Sequence, residues 1–259
     1  MANKCIVSLA IGSPISGRGL YKALVKTISG NRELFNKYNP DVDYIFWDNN
    51  YPPDSPSHED VPYAFKGYCL ADCRRKGYDL VLWTDASVVP TGSMERIFNT
   101  IEEAGYIFFK GWGPDGSMGG SCSDDALAAF GITRAESFKI PSAIGTIFGL
   151  DLRSTIANKF LDEYFMLADK KIPFTGLTNY DGKLLTFRRI KWNSGNLLSQ
   201  DPRVKGYRWD QTVMSFLIHK LNLTLTPTTD MPFVINRQYK HTLRFRLQHF
   251  LGKMLLRVR

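Results

Sequence analysis

Three apolar runs in the first third of the chain each stop at a small or acidic residue, and segments of helical spacing fill the gaps between them. The runs are "KCIVSLAIG" (4–12), "DVDYIFWDNN" (41–50) and "YDLVLWTDASVVP" (78–90), and a fourth, "YIFFKGW" (106–112), follows. Short apolar stretches bounded by turn residues read as buried strands. Between them, "LYKALVKTISG" (20–30), "YAFKGYCLADCRRK" (63–76) and "SMERIFNTIEEAG" (93–105) carry apolar residues at helical spacing. Gly30 and Gly77 read as stops and Ser93 as an N-cap. Such alternation admits few folds: parallel strands joined by right-handed helical crossovers.

The second half is less regular. "GPDGSMGGS" (113–121) reads as a mobile glycine-rich loop, "SDDALAAFG" as a short capped helix and "SAIGTIFGLDL" (142–152) as a strand broken by two glycines. An amphipathic helix is expected over 154–171, a hairpin over 176–187 around Asp181-Gly182, and a helix over 209–223. "LTLTPTT" and "PFVIN" finish the ordered core. With no repeat and no linker, the expectation is one α/β domain over residues 1–236, a Rossmann-like mixed sheet flanked by helices.

Composition narrows the function classes. A 44% hydrophobic and 13% aromatic chain of 259 residues is not disordered. No apolar run approaches the roughly 20 residues of a membrane span, and "MANKCIVSLAIG" reads as a first strand rather than a secretory signal. Cys5, Cys69, Cys73 and Cys122 lack zinc-finger spacing, so buried free thiols in a cytoplasmic protein are expected. The sequon at Asn222 would then carry no glycan.

The net charge of +8 belongs to one segment. Residues 237–259 hold seven Lys/Arg and no acid, leaving 26 bases against 25 acids elsewhere. From Leu243 onward apolar residues recur at 247, 250, 251, 254, 255 and 258, which describes a basic amphipathic helix. Such a helix either packs on the domain or docks on an anionic membrane surface at the cytoplasmic face. Nucleic acid is a poorer partner, because the rest of the chain is nearly neutral.

In open α/β sheets, ligands sit at the carboxyl ends of the parallel strands. Those ends carry Ala10, Gly12 and Ser13 with Arg18 beyond, then Asp48 and Asn49, then Asp85, Ala86 and Ser87. At these residues the sequence resembles the GT-A-fold nucleotide-sugar glycosyltransferases. "YDLVLWTDASVVP" looks like their strand and D-x-D turn, and "PYAFKGYCLADCRRKG" like the helix leading into it. "SAIGTIFGLDL" is similar to their glycine-bearing acceptor strand, and "YRWDQTVMSFLIHKL" to the segment bearing an acid at a helix start. The resemblance spans about residues 4–235, in order.

The resemblance implies transfer of a sugar from a nucleoside diphosphate donor, UDP-linked, to a hydroxyl of a glycan acceptor. Ala10, Gly12, Ser13, Asp48, Lys66, Asp85, Ala86 and Ser87 would face the donor. Trp112, Gly145, Trp192 and the 175–187 segment would shape the acceptor side. The leaving diphosphate calls for Mn²⁺ or Mg²⁺ on oxygen ligands, here Asp85 and Ser87 with a late histidine, His241. The chain departs from the family at Ser87, a neutral hydroxyl where the usual ligand is a carboxylate, which puts metal dependence in question. Asp210 takes the position of the general base of an inverting enzyme; in a retaining one it would bind sugar hydroxyls. As a bare residue it also reads as the N-cap of the helix beginning at 211. Two readings compete: a binder acting through the basic tail, and a degenerate phosphate-binding loop at Gly12–Gly19, which lacks the Lys-Ser/Thr pair such loops need.

Overall fold

The computed structural model describes residues 2–13, 15, 18–111 and 115–235. In chain order the strands are β1 (Lys4–Ala10), β2 (Asp43–Asp48), β3 (Leu80–Thr84), β4 (Val88–Pro90), β5 (Tyr106–Lys110), β6 (Ala143–Asp151) and β7 (Phe233–Ile235). The helices are α1 (Arg18–Tyr38), α2 (Phe65–Arg75), α3 (Glu95–Ala104), α4 (Asp124–Phe130), α5 (Arg134–Ser137), α6 (Thr155–Asp169), α7 (Ile172–Thr175), α8 (Leu184–Lys191) and α9 (Trp209–Lys220). The main sheet has the order β2-β1-β3-β6-β5. β1 pairs in parallel with β2 and β3, while β6 runs antiparallel between β3 and β5. β4 and β7 form a small antiparallel ribbon. The expected α/β domain with a mixed sheet flanked by helices is what these residues build.

Alternate residues of β1 and β3 serve opposite layers, as the two-residue repeat of a strand requires. Cys5, Val7, Leu9, Val81 and Trp83 join the core that includes Cys69 and Leu70 of α2, Phe160 and Tyr164 of α6, and Val213 and Met214 of α9. Ile6, Leu80 and Leu82 face the other way, against Phe35 of α1 and Ile97, Phe98 and Ile101 of α3. Full burial of a Phe-sized side chain is worth about 1.5–3 kcal/mol, so both layers are strongly driven. The layering also sets the site. Asp85 continues the odd-numbered register of Val81 and Trp83 and emerges on the α2/α9 side.

Several elements differ from expectation, each for a packing reason. α1 does not stop at Gly30, because Ile28, Asn31 and Phe35 continue its buried face; that packing outweighs the roughly 1 kcal/mol a helical glycine costs. α3 begins at Glu95 rather than at Ser93, and the Asn39 side chain accepts the Met94 N–H at 2.6 Å. The 176–187 hairpin is absent. Phe187 and Ile190, three apart, are both buried on α8, and Asp181 accepts the Lys183 N–H just ahead of it. The glycines of β6 do not break it; all nine residues are buried. The loop expected to be mobile is packed from Ser117 on, with Met118 buried and a 3₁₀ turn at Gly119–Ser121. All four cysteines are free and buried. Among the described residues no helix is long and apolar enough to cross a membrane. The tail helix of 237–259, and with it the boundary at 236, lies outside the described residues.

Candidate active site

The turn after β3 is held from three directions. The Asp85 N–H donates to the Thr146 carbonyl of β6 at 2.8 Å, and the Val88 N–H closes the turn on the Asp85 carbonyl at 2.9 Å. From α1, the buried Asn31 amide donates to the carbonyls of Ala86 (3.0 Å) and Val88 (2.8 Å). Trp83, two residues back on the same face of the strand, donates its indole N–H to Asp85 Oδ1 at 2.9 Å.

The same oxygen receives a buried ammonium. Lys66, in the first turn of α2, is only 2% exposed. Its Nζ lies 2.9 Å from Asp85 Oδ1, 2.7 Å from Asp210 Oδ2 and 2.6 Å from the Gly145 carbonyl of β6. Three acceptors use all three ammonium protons. The rings of Trp83 and Tyr63 stand 5.4 and 5.5 Å from Nζ, close enough for cation–π attraction. Burial works against the charged lysine, but the two carboxylates outweigh it and raise its pKa above the ordinary range.

Asp210 lies in the first turn of α9 and is buried. It is not the cap of that helix: Arg208 holds that position, and no side-chain capping bond is made. Burial raises its pKa; Lys66 opposes this and Asp85 reinforces it. Trp209, just before it, adopts φ +40°, a backbone region that costs a non-glycine residue of order 1–3 kcal/mol. Its ring is held in stack with Phe187 at 4.2 Å and near Tyr63 at 5.6 Å. Gly145 makes room for the carboxylate. A Cβ there would stand 2.1 Å from Asp210 Oδ2.

The neighbouring strand ends form the second half of the site. Ala10 and Asp48 are register partners at the ends of β1 and β2. The Gly12 N–H donates to Asn49 Oδ1 at 3.1 Å, and the Asn49 N–H to the Ala10 carbonyl at 2.9 Å. The Tyr21 hydroxyl donates to Asp48 Oδ1. Ala10 and Ala86 pack together with Ile28, so small side chains line the seam between the first and third strand ends. Ser13 and Ser87 are both buried.

Lys66, Asp85, Gly145 and Asp210 thus form one knot, with Ala10, Gly12, Asp48, Ala86 and Ser87 at the adjoining strand ends. Trp192 caps α8 and is exposed, its ring beneath the Lys191 ammonium at 5.4 Å. Trp112 and His241 lie outside the described residues. Lys66, expected to face the donor, has its ammonium engaged by protein acceptors. Asn31, Trp83, Tyr63 and Tyr21 were not anticipated. Trp83 alone had a legible signal, its two-residue offset from Asp85.

The donor set does not fit a divalent metal among the described residues. Asp85 Oδ1 is already shared by an ammonium and an indole N–H, the buried Ser87 hydroxyl is a weak neutral ligand, and the adjacent Lys66 charge repels a second cation. No three His, Cys, Asp or Glu side chains among these residues stand close enough together to hold a metal ion.

No protein-family model and no curated protein matches the chain. Among solved structures it is similar to the bifunctional glycosyltransferase WbbM, at 14% identity over 98% of this chain and 44% of that one, with a TM-score of 0.40. It therefore spans less than half of that protein. Mouse xyloside xylosyltransferase 1 is 10% identical over 87% of this chain and 84% of its own, with a TM-score of 0.42. The galactosyltransferase LgtC is 12% identical over 96% and 95%, with a TM-score of 0.36. At such scores the likenesses carry no weight in the functional reading, which rests on the chain's own residues.

Proposed function

We propose that the chain is a GT-A-type glycosyltransferase that moves a sugar from a nucleoside diphosphate donor, UDP-linked, to a hydroxyl of a glycan acceptor. The observation that carries the reading is the Lys66 clamp. One buried ammonium holds two carboxylates from well-separated parts of the sequence at the carboxyl edge of a parallel strand. Structural cores seldom retain such an arrangement, because burying charge costs several kcal/mol per ion before pairing recovers it.

The nucleoside half of the donor would lie over Ala10, Gly12, Ser13 and Asp48. Asp85 keeps its Oδ2 without a hydrogen-bond partner among the described residues, and its side chain is 31% exposed. That oxygen would accept a ribose or sugar hydroxyl. In the inverting reading the acceptor oxygen attacks the anomeric carbon as the bond to the diphosphate breaks. The hydroxyl proton passes to Asp210 and the diphosphate leaves with the bonding electrons. Burial suits Asp210 to this work by raising its affinity for a proton.

The 5% exposure of Asp210 also favours a second reading, in which it orients a donor hydroxyl and the product retains configuration. Two measurements separate them. A thermal-shift panel of UDP-, GDP- and dTDP-sugars identifies the donor, and a flat response to every donor would overturn the proposal. NMR of the product's anomeric configuration, with turnover of Asp210→Asn, assigns the acid; the inverting reading expects a β-product from an α-donor and a loss of at least about 100-fold. Attachment of the basic tail to anionic membranes is part of the proposal. Liposome binding that survives removal of residues 237–259 would contradict it.

A further inference from the structure

A cavity of about 400 Å³ lies between the segments 59–60 and 171–182, within the range of small-molecule sites. Glu59, Asp60 and Asp181 line it, with Lys171, Thr178 and Tyr180. Asp60 accepts the Ser57 hydroxyl at 2.7 Å; Asp181 accepts the Lys183 N–H at 3.1 Å and faces the Lys183 ammonium at 3.6 Å. Glu59 has no hydrogen-bond or ion-pair partner for its carboxylate among the described residues. The Tyr180 hydroxyl is buried and likewise without a partner among them. Burial pushes its pKa up, and the charges of Asp181, Glu59 and Asp60 add to the effect.

A buried hydroxyl left unpaired is unfavourable, so this wall favours a polar group against it. The lining sets three carboxylates against one ammonium. It can therefore accept hydroxyl protons at several points, while it repels anions. The place fits as well. Gly182 packs on the Glu59 backbone, and Glu59 and Asp60 share their segment with His58 and Tyr63. His58 stands 4.5 Å from Tyr63, and Tyr63 5.6 Å from Trp209, the residue before Asp210. Tyr63 also stands 5.5 Å from the Lys66 ammonium, so this segment runs from the cavity wall to the clamp.

We propose that this cavity is a subsite for a hydroxyl-rich sugar unit that bears no negative charge, a neighbouring ring of the acceptor. The assignment rests on the glycosyl-transfer reading and narrows it, because uronate- and phosphate-bearing acceptors are excluded here. The experiment is saturation-transfer NMR on the full chain with lactose, glucosamine and glucuronate, beside the donor thermal-shift panel.

Lactose and glucosamine should bind, and glucuronate at least about tenfold more weakly, since like-charge contacts disfavour it. The double variant Glu59→Gln, Asp181→Asn should bring the three within about threefold. Tyr180→Phe should weaken lactose binding with Tm unchanged or raised. Glucuronate binding as tightly as lactose, or variants that bind every sugar as the native chain does, would overturn the subsite. A donor shift with no sugar binding overturns the subsite alone. Sugar binding with no donor shift removes the transferase reading and leaves a sugar-binding cavity. Neither signal removes both.

Discussion

Gly145 and Gly149 sit on one strand and look alike in sequence, yet a side chain at each would meet a different neighbour. At Gly145 a methyl group would strike Asp210 Oδ2 at 2.1 Å; at Gly149 it would strike Ile101 Cδ1 at 2.3 Å. Gly145→Ala should therefore displace the carboxylate, and a misplacement near 1 Å at a reacting centre costs about 100-fold in turnover. Gly149→Ala overpacks the layer against α3 and should lower stability by about 1–3 kcal/mol while leaving KM for the acceptor unchanged. Turnover and Tm for the two variants check this split. The clamp also sets a pH response. As the proposed base Asp210 would work deprotonated, and its pKa is raised, chiefly by burial. The acid limb of the kcat/KM profile should accordingly lie above the ordinary aspartate range, with activity falling as pH drops through it. Lys66 opposes that rise, so Lys66→Met should move the limb to still higher pH. A limb that stays in place would mean that Asp210 is not the titrating group.

At the scale of elements, α1 acts on the site from a distance. Asn31 ties the turn of Asp85 to a helix that packs on the sheet through Ile28 and Phe35. Asn31→Ala would strand two carbonyls, at about 1–3 kcal/mol each where buried, and should weaken donor binding while Asp210 keeps its pKa. Titration of the donor against both proteins, with thermal melts, tests the pairing. This contact shows what was legible in the sequence and what was not. Strand ends β1, β2 and β3 were readable because apolar runs stopping at Gly12, Asp48 and Asp85 are local patterns. The buried face of α1 beyond Gly30 was obscured by a residue that usually ends helices and here faces open space. The 176–187 segment misled through Asp181-Gly182, a strong hairpin dipeptide, although Phe187 and Ile190 already carried the helical period. Asp210 was placed from the order of motifs, but its bond to Lys66, 144 residues away, left no trace in either neighbourhood.

For the whole molecule, the mixed sheet brings one cation of its own, Lys66, to the turn of Asp85. The described ligands do not form a divalent site, and the fixed positive charge beside Asp85 disfavours one. EDTA should leave the donor's thermal shift within error, and added Mn²⁺ should not enlarge it. An increase of several degrees with Mn²⁺ would show that ligands beyond residue 235 complete a metal centre.

The division of β1 and β3 between two cores also bears on how such a chain can change over time. Every residue of the clamp lies on the side of α2 and α9, while α1 and α3 cover the reverse with the Ile6, Leu82 and Phe98 layer. Apart from Asn31 and Tyr21, which hold the turn of Asp85 and Asp48, that reverse layer can drift, be repacked or be redesigned for heat tolerance with little consequence for chemistry. A laboratory seeking a hardier catalyst would begin there, and a lineage acquiring a new acceptor would change the opposite face.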